Sequence, residues 1–150
     1  VRREGPLAEV LADVKMPIET ENGASVVLSG KVSSLSSEWK TCCIDAGGWT
    51  FETPTASLAM SSQVRLRVLA RDVSIAVEKP DSISIRNRLQ AEVEEIAAHP
   101  SEPAYQLVKL KCPNGEGRLV SRILNQSVTE LGLHPGSQVW ALVKASAVIM

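Results

Sequence analysis

The sequence predicts a mainly β protein built as two similar halves. Three observations carry this. Short runs of Val, Leu and Ile alternate with polar residues; turn residues separate the runs at regular intervals; and a stretch near residue 62 recurs 75 residues later.

The first element is the exception. Leu7, Val10, Leu11 and Val14 fall at helical spacing and Pro6 suits a first helical position, so a short helix is expected over 6–14, closed by Pro17. A polar linker follows over 19–23. Strands are then expected over 25–32, 39–44 and 48–52, the last two forming a hairpin around Asp45-Ala46-Gly47. At 64–69, Val64, Leu66 and Val68 alternate with Arg65 and Arg67, the pattern of a half-buried strand. Another strand is expected over 73–77, and Pro80 ends the first half.

The second half repeats the theme. Strands are expected over 89–96, 105–112 and 118–124, with a turn at 99–103 and a tight loop at 113–117. Asn125 or Gln126 opens a short helical turn that Gly132 stops. Strands over 139–143 and 147–150 finish the chain. Ser62-Gln63-Val64 matches Ser137-Gln138-Val139, and at the same offset of 75 Val68 falls on Val143, Ala70 on Ala145 and Val73 on Val148. Upstream strands match only with gaps. Two halves of about five short strands each, close to 24–80 and 81–150, with one helical turn, suit small OB-like barrels.

Composition narrows the function. The net charge is -1 and the chain holds one Phe, one Tyr and three Trp, so it has neither the basic excess nor the aromatic platform of a nucleic-acid binder. No apolar run reaches the roughly 18 residues of a membrane span. Cys42, Cys43 and Cys112 form neither a paired disulfide framework nor a metal spacing, and His99 and His134 stand apart; small reduced core residues in a reducing compartment are expected. There is no G-x-x-x-x-G-K-[ST], no G-x-S-x-G and no H-E-x-x-H.

Two donor-rich segments stand out. One contains Ser84, Arg86 and Asn87; the other is Lys144-Ala145-Ser146. A dianionic tetrahedral oxyanion has only acceptors, so its partners must all donate. Guanidinium and ammonium supply charge, while hydroxyls and amides supply direction. No Asp or Glu interrupts either segment. Taken alone, the same residues also fit an ordinary turn with a solvated arginine and a strand-edge lysine.

Order and spacing add to this. Ser84-Ile-Arg-Asn87, Arg122-Ile-Leu-Asn-Gln-Ser127, Glu130-Leu-Gly-Leu133, Pro135-Gly136 and Val143-Lys-Ala-Ser146 together resemble the Mop (TOBE-type) molybdate-binding family. The stretch from Arg65 to Ile75, leading into Glu78-Lys-Pro80, resembles the segment that precedes this domain in the ATP-binding subunit of molybdate ABC importers. Gly5-Pro-Leu-Ala-Glu9 resembles the place where that subunit leaves its nucleotide-binding domain. Residues 1–23 are therefore expected to be a linker leaving an ATPase domain, 24–80 a structural half, and 81–150 the half that carries the site. The missing initiator Met agrees with a fragment.

The resemblance implies OB-like barrels that form a homodimer and bind molybdate or tungstate at subunit interfaces, where Ser84, Arg86 and Asn87 meet Lys144, Ala145 and Ser146 of a neighbouring chain or half-barrel and Ser127 adds a hydroxyl. Leu124 departs from the family, where Thr is common. Leu69, Ala70 and Arg71 replace the Lys-Ala-Ser pattern in the first half, so no second site of this kind is expected there. The implied role is regulatory: a cytoplasmic domain at the inner face of the inner membrane, attached to an ATPase that meets a membrane permease, senses the oxyanion and inhibits import. The fragment itself binds no nucleotide and is not an enzyme, and no contact with nucleic acid or insertion into the membrane is expected. The alternatives are a stand-alone molybdate storage protein and a dimerisation module that has lost its ligand.

Overall fold

The structure, a computed structural model, describes residues 24–55 and 58–150. The helix expected over 6–14 and the linker over 19–23 lie outside them. The described chain runs β1 (Ser25–Ser36), β2 (Thr41–Ala46), β3 (Trp49–Pro54), β4 (Gln63–Leu69), a 3-10 turn (Ala70–Asp72), β5 (Ser74–Ala76), β6 (Asn87–Ala98), β7 (Tyr105–Lys111), β8 (Arg118–Leu124), α1 (Asn125–Glu130), β9 (Gln138–Val143) and a second 3-10 turn (Ala145–Ala147). It is mainly β and OB-like, with one sheet ordered β3-β2-β1-β4 and another ordered β5-β9-β6-β7-β8.

The strands form where the alternation predicted them. In β4, Leu66 and Val68 are buried in the core while Arg65 and Arg67, which alternate with them, are exposed and half-buried. The hairpin turn is Gly47-Gly48, one step later than expected, because the ladder continues to the pair Ala46↔Trp49. Both glycines have positive φ, as a two-residue turn matched to strand twist requires. Gly47 has a second reason to be glycine: an added Cβ would sit 2.5 Å from the Cα of Gly117, whose N–H donates to the Gly47 carbonyl at 2.8 Å. The expected strand at 147–150 is not a strand. The chain makes a 3-10 turn, buries Val148, and pairs only at Ile149, through an isolated bridge to Arg67. The apolar run Val148-Ile149-Met150 reads as a strand, yet Ile149 and Met150 are exposed.

The repeat is physical. Ser74 pairs with Leu142, and Arg67 with Ile149; each pair becomes the other when 75 is added to or taken from its members. The two 3-10 turns are related by the same offset, and both are closed by a hydrogen bond from the residue after the turn to its first carbonyl. Bulges fall at matching places, between Val32 and Ser34 in β1 and between Val93 and Glu95 in β6. Each half therefore places its last segment against the other half's sheet, and the pairing crosses residue 80 in both directions. Phe51, Ile44 and Leu66 from one sheet share one core with Leu107, Leu110, Leu119 and Val139 from the other. Trp49 closes the seam by donating its indole N–H to the Gln90 carbonyl at 2.8 Å.

Cys42 and Cys112 are buried and Cys43 is half-buried; all three are free thiols. Burial pushes the Cys42 thiol above its ordinary range, against a smaller opposing pull from a hydrogen bond with Thr55. Among the described residues no helix is long and apolar enough to cross a membrane.

Candidate oxyanion-binding site

The ladder between β6 and β9 ends at the pair Asn87↔Val143. Arg86 and Lys144 are the next residues outward, so two cationic side chains leave the sheet at the same end. Lys144 keeps extended backbone and leads into the 3-10 turn, which exposes Ser146 and leaves Ala145 half-buried. Ser84 is exposed in the segment that enters β6.

β3 lies across both segments. Asn87 is 2% exposed. Its Oδ1 accepts from the Glu52 backbone N–H at 2.6 Å, and its Nδ2 donates to the Glu52 carbonyl at 3.0 Å. The carboxamide thus stands in for a strand, pairing with the main chain of a residue on the other sheet. One residue on, the Thr53 hydroxyl donates to the Ala145 carbonyl at 3.4 Å. The second half makes a comparable contact through Ser121, whose hydroxyl donates to the Val73 carbonyl at 2.5 Å. A hydroxyl on the third strand of each half therefore reaches the turn region of the other.

Arg86 donates from Nε to Glu52 Oε1 at 2.9 Å, and the two side chains are 63% and 23% exposed. Nε is one of five guanidinium donors, so this ion pair does not exhaust the group. Trp39, Thr41, Glu52 and Arg86 line a cleft of about 440 Å³. What the arrangement offers chemically is cationic and hydroxyl donors carried on β elements.

The structure brings Arg86, Asn87, Lys144, Ala145 and Ser146 to one end of the sheet, with Ser84 in the segment leading there. Ser127 is elsewhere. It is half-buried in α1, which follows Leu124, and Leu124 pairs with Tyr105 at the opposite end of β7 and β8 from the Lys111↔Arg118 pair that lies on the Asn87 side. Within one chain Ser127 does not join the others. Asn87 takes a positioning place, since its carboxamide is held by main chain. Sequence reading missed Glu52, Thr53 and Trp39. Glu52 lies 34 residues before Arg86, and only the stacking of the two sheets puts them together.

In the first half, register places Ser25 and Val26 where the second half has Arg86 and Asn87, and Leu69, Ala70 and Arg71 where it has Lys144, Ala145 and Ser146. Ser25 is buried and accepts from Arg67 Nε at 3.3 Å.

Residues 83–150 match the TOBE domain family. The chain is 41% identical over 138 residues to the molybdenum import ATP-binding protein ModC of Brucella abortus (strain 2308), a match covering 91% of this chain and 37% of that protein. It is 32% identical over 145 residues to ModC of Methylococcus capsulatus, covering 97% of this chain and 40% of that protein. The chain thus spans about two fifths of the length of these relatives. A solved structure of the cytoplasmic molybdate-binding protein ModG, with molybdate bound, superposes with a TM-score of 0.68 at 28% identity, covering 82% of this chain and 92% of that one. Residues 83–150 are a TOBE domain, and the chain is homologous to the C-terminal part of the ModC ATP-binding subunits of molybdenum importers.

Proposed function

We propose that this chain binds molybdate, or its close analogue tungstate, as the regulatory part of the ATP-binding subunit of a molybdate importer. The observation that carries the reading is the pair of cations, Arg86 and Lys144, leaving β6 and β9 side by side next to the exposed hydroxyl of Ser146. The names of the relatives support the choice of ion. An opposite unit charge about 4 Å away gains roughly 4 kcal/mol at an effective dielectric near 20. Desolvation takes back much of that, and several charge-assisted bonds together reach micromolar affinity, about -8 kcal/mol.

Ser84, Arg86, Asn87, Lys144, Ala145 and Ser146 make up the site on one chain, and Ser127 completes it from the partner of a homodimer. In the parent protein the domain sits on an ATPase at the cytoplasmic face of the inner membrane, beside the permease. Ligand held between two such domains favours one arrangement of the dimer and restrains import; a switch of this kind needs differential affinity for its two states. Nucleotide chemistry belongs to the ATPase, which leaves this segment as a binding domain.

Isothermal titration with molybdate, with sulfate as control and light scattering for mass, tests the reading. Saturable molybdate heat, little sulfate heat and a dimer support it. A folded dimer without molybdate heat overturns it and leaves an assembly module.

A further inference from the structure

A carboxylate is an unexpected neighbour for an anion site. It repels the ligand and competes for the same donors. Yet Glu52 Oε1 sits 2.9 Å from Arg86 Nε. Its main chain cannot retreat, because the buried Asn87 carboxamide holds both its N–H and its carbonyl. Its side chain can. The Arg86 and Glu52 side chains are partly exposed, and both line the cleft of about 440 Å³ that also carries Trp39 and Thr41.

We propose that Glu52 is a built-in competitor that sets the affinity of the Arg86 site: an incoming tetrahedral oxyanion takes the guanidinium from the Glu52 carboxylate, which swings into the adjoining cleft. The inference rests on the oxyanion reading above. Every binding event then carries two charges of cost, the broken ion pair and the repulsion between a carboxylate and a dianion a few ångströms away. Both vanish when the carboxylate becomes an amide. The ion pair itself contributes little to stability at this exposure, so its place in the fold is explained better by tuning than by support. The main-chain clamp is independent of the Glu52 side chain, so the neutral variant keeps its backbone tied to Asn87.

The test is titration of the full 150-residue chain with sodium molybdate, in wild type, Glu52→Gln and Glu116→Gln. The last removes an equal charge from an exposed position in the β7–β8 loop. Glu52→Gln is expected to bind about tenfold tighter, which corresponds to about 1.4 kcal/mol, with an unchanged melting temperature, and Glu116→Gln to stay within about twofold of wild type. If Glu52→Gln melts early, Glu52→Ala replaces it with the same expected direction. Binding by wild type that is equal or tighter than that of the neutral variants overturns it and leaves the oxyanion reading standing. No heat from any variant overturns both.

Discussion

Asn87 and Glu52 are joined by two hydrogen bonds, of 2.6 and 3.0 Å, that run from the carboxamide of one to the main chain of the other. The first residue of β6 is thereby fastened to the middle of β3 on the opposite sheet. A residue expected to donate to a ligand instead holds the floor on which the ligand's other partners stand.

Replacing Asn87 with Ala strips two part-buried main-chain groups of their partner. Each such group costs about 1–3 kcal/mol to leave unpaired, so Asn87→Ala is expected to lose about 2–4 kcal/mol in urea unfolding. Molybdate binding falls with it. A stability loss below about 0.5 kcal/mol would show that water replaces the clamp without cost.

Arg86→Ala separates binding from support. The ion pair with Glu52 is largely exposed on the arginine side, so the stability change is expected to stay within about 1 kcal/mol. Molybdate heat should be lost. Lys144→Ala should behave alike, since Lys144 is exposed and leaves the sheet beside Arg86.

Leu124 sits at the N-cap of α1 with extended backbone and no side-chain acceptor for the first turn. Leu124→Thr supplies that acceptor and removes an exposed leucine. It is expected to gain about 0.5–1 kcal/mol in urea unfolding. The Thr that the family resemblance leads one to expect at this position would then have a structural reason that involves no ligand, and unchanged molybdate affinity in the variant would support it.

Two glycines with the same backbone sign should respond differently to Ala. Gly132 has φ +63 with nothing within 4 Å of an added Cβ, while Gly47 has φ +64 and meets Gly117 backbone at 2.5 Å. Gly132→Ala pays only the left-handed strain, about 1 kcal/mol. Gly47→Ala must also part the β2–β3 and β7–β8 turns, and is expected to lose at least twice as much by thermal unfolding.

The thiols give a pH test. Burial disfavours the charged form of Cys42 and raises its titration above the ordinary thiol range. The unfolded chain then releases its proton first as pH rises. The contribution of Cys42 is fully present below the unfolded thiol value and is lost as the pH climbs from that value toward the folded one. In thiol labelling, half-buried Cys43 should react in the folded protein, whereas Cys42 and Cys112 should wait for unfolding.

Much of this was legible from residue patterns. Alternation located nine strands, and Gly132 marked the end of α1, because periodicity and turn chemistry are local. The offset of 75 was visible in Ser62-Gln63-Val64 and Ser137-Gln138-Val139 since those residues do the same work twice: the Ser62 carbonyl accepts from Val32, and the Ser137 carbonyl from Val93. What stayed hidden was which sheet each short segment joins. Ser74–Ala76 reads as the fifth strand of the first half, and only packing reveals its partner in β9. The site followed the same rule. Arg86 and Lys144 could be named from chemistry, but Glu52 could not, since its meaning arises from a neighbour 34 residues away.

The exchanged end segments also govern how the chain can come together. Ser74 must find Leu142, and Arg67 must find Ile149, so both halves have to be synthesised before either is edged correctly. Closure of such distant pairings is slow relative to local structure. Nascent chains stopped short of residue 140 carry an unpartnered β5, and the two halves are expected to melt in one transition rather than two, with each half holding the other's latch.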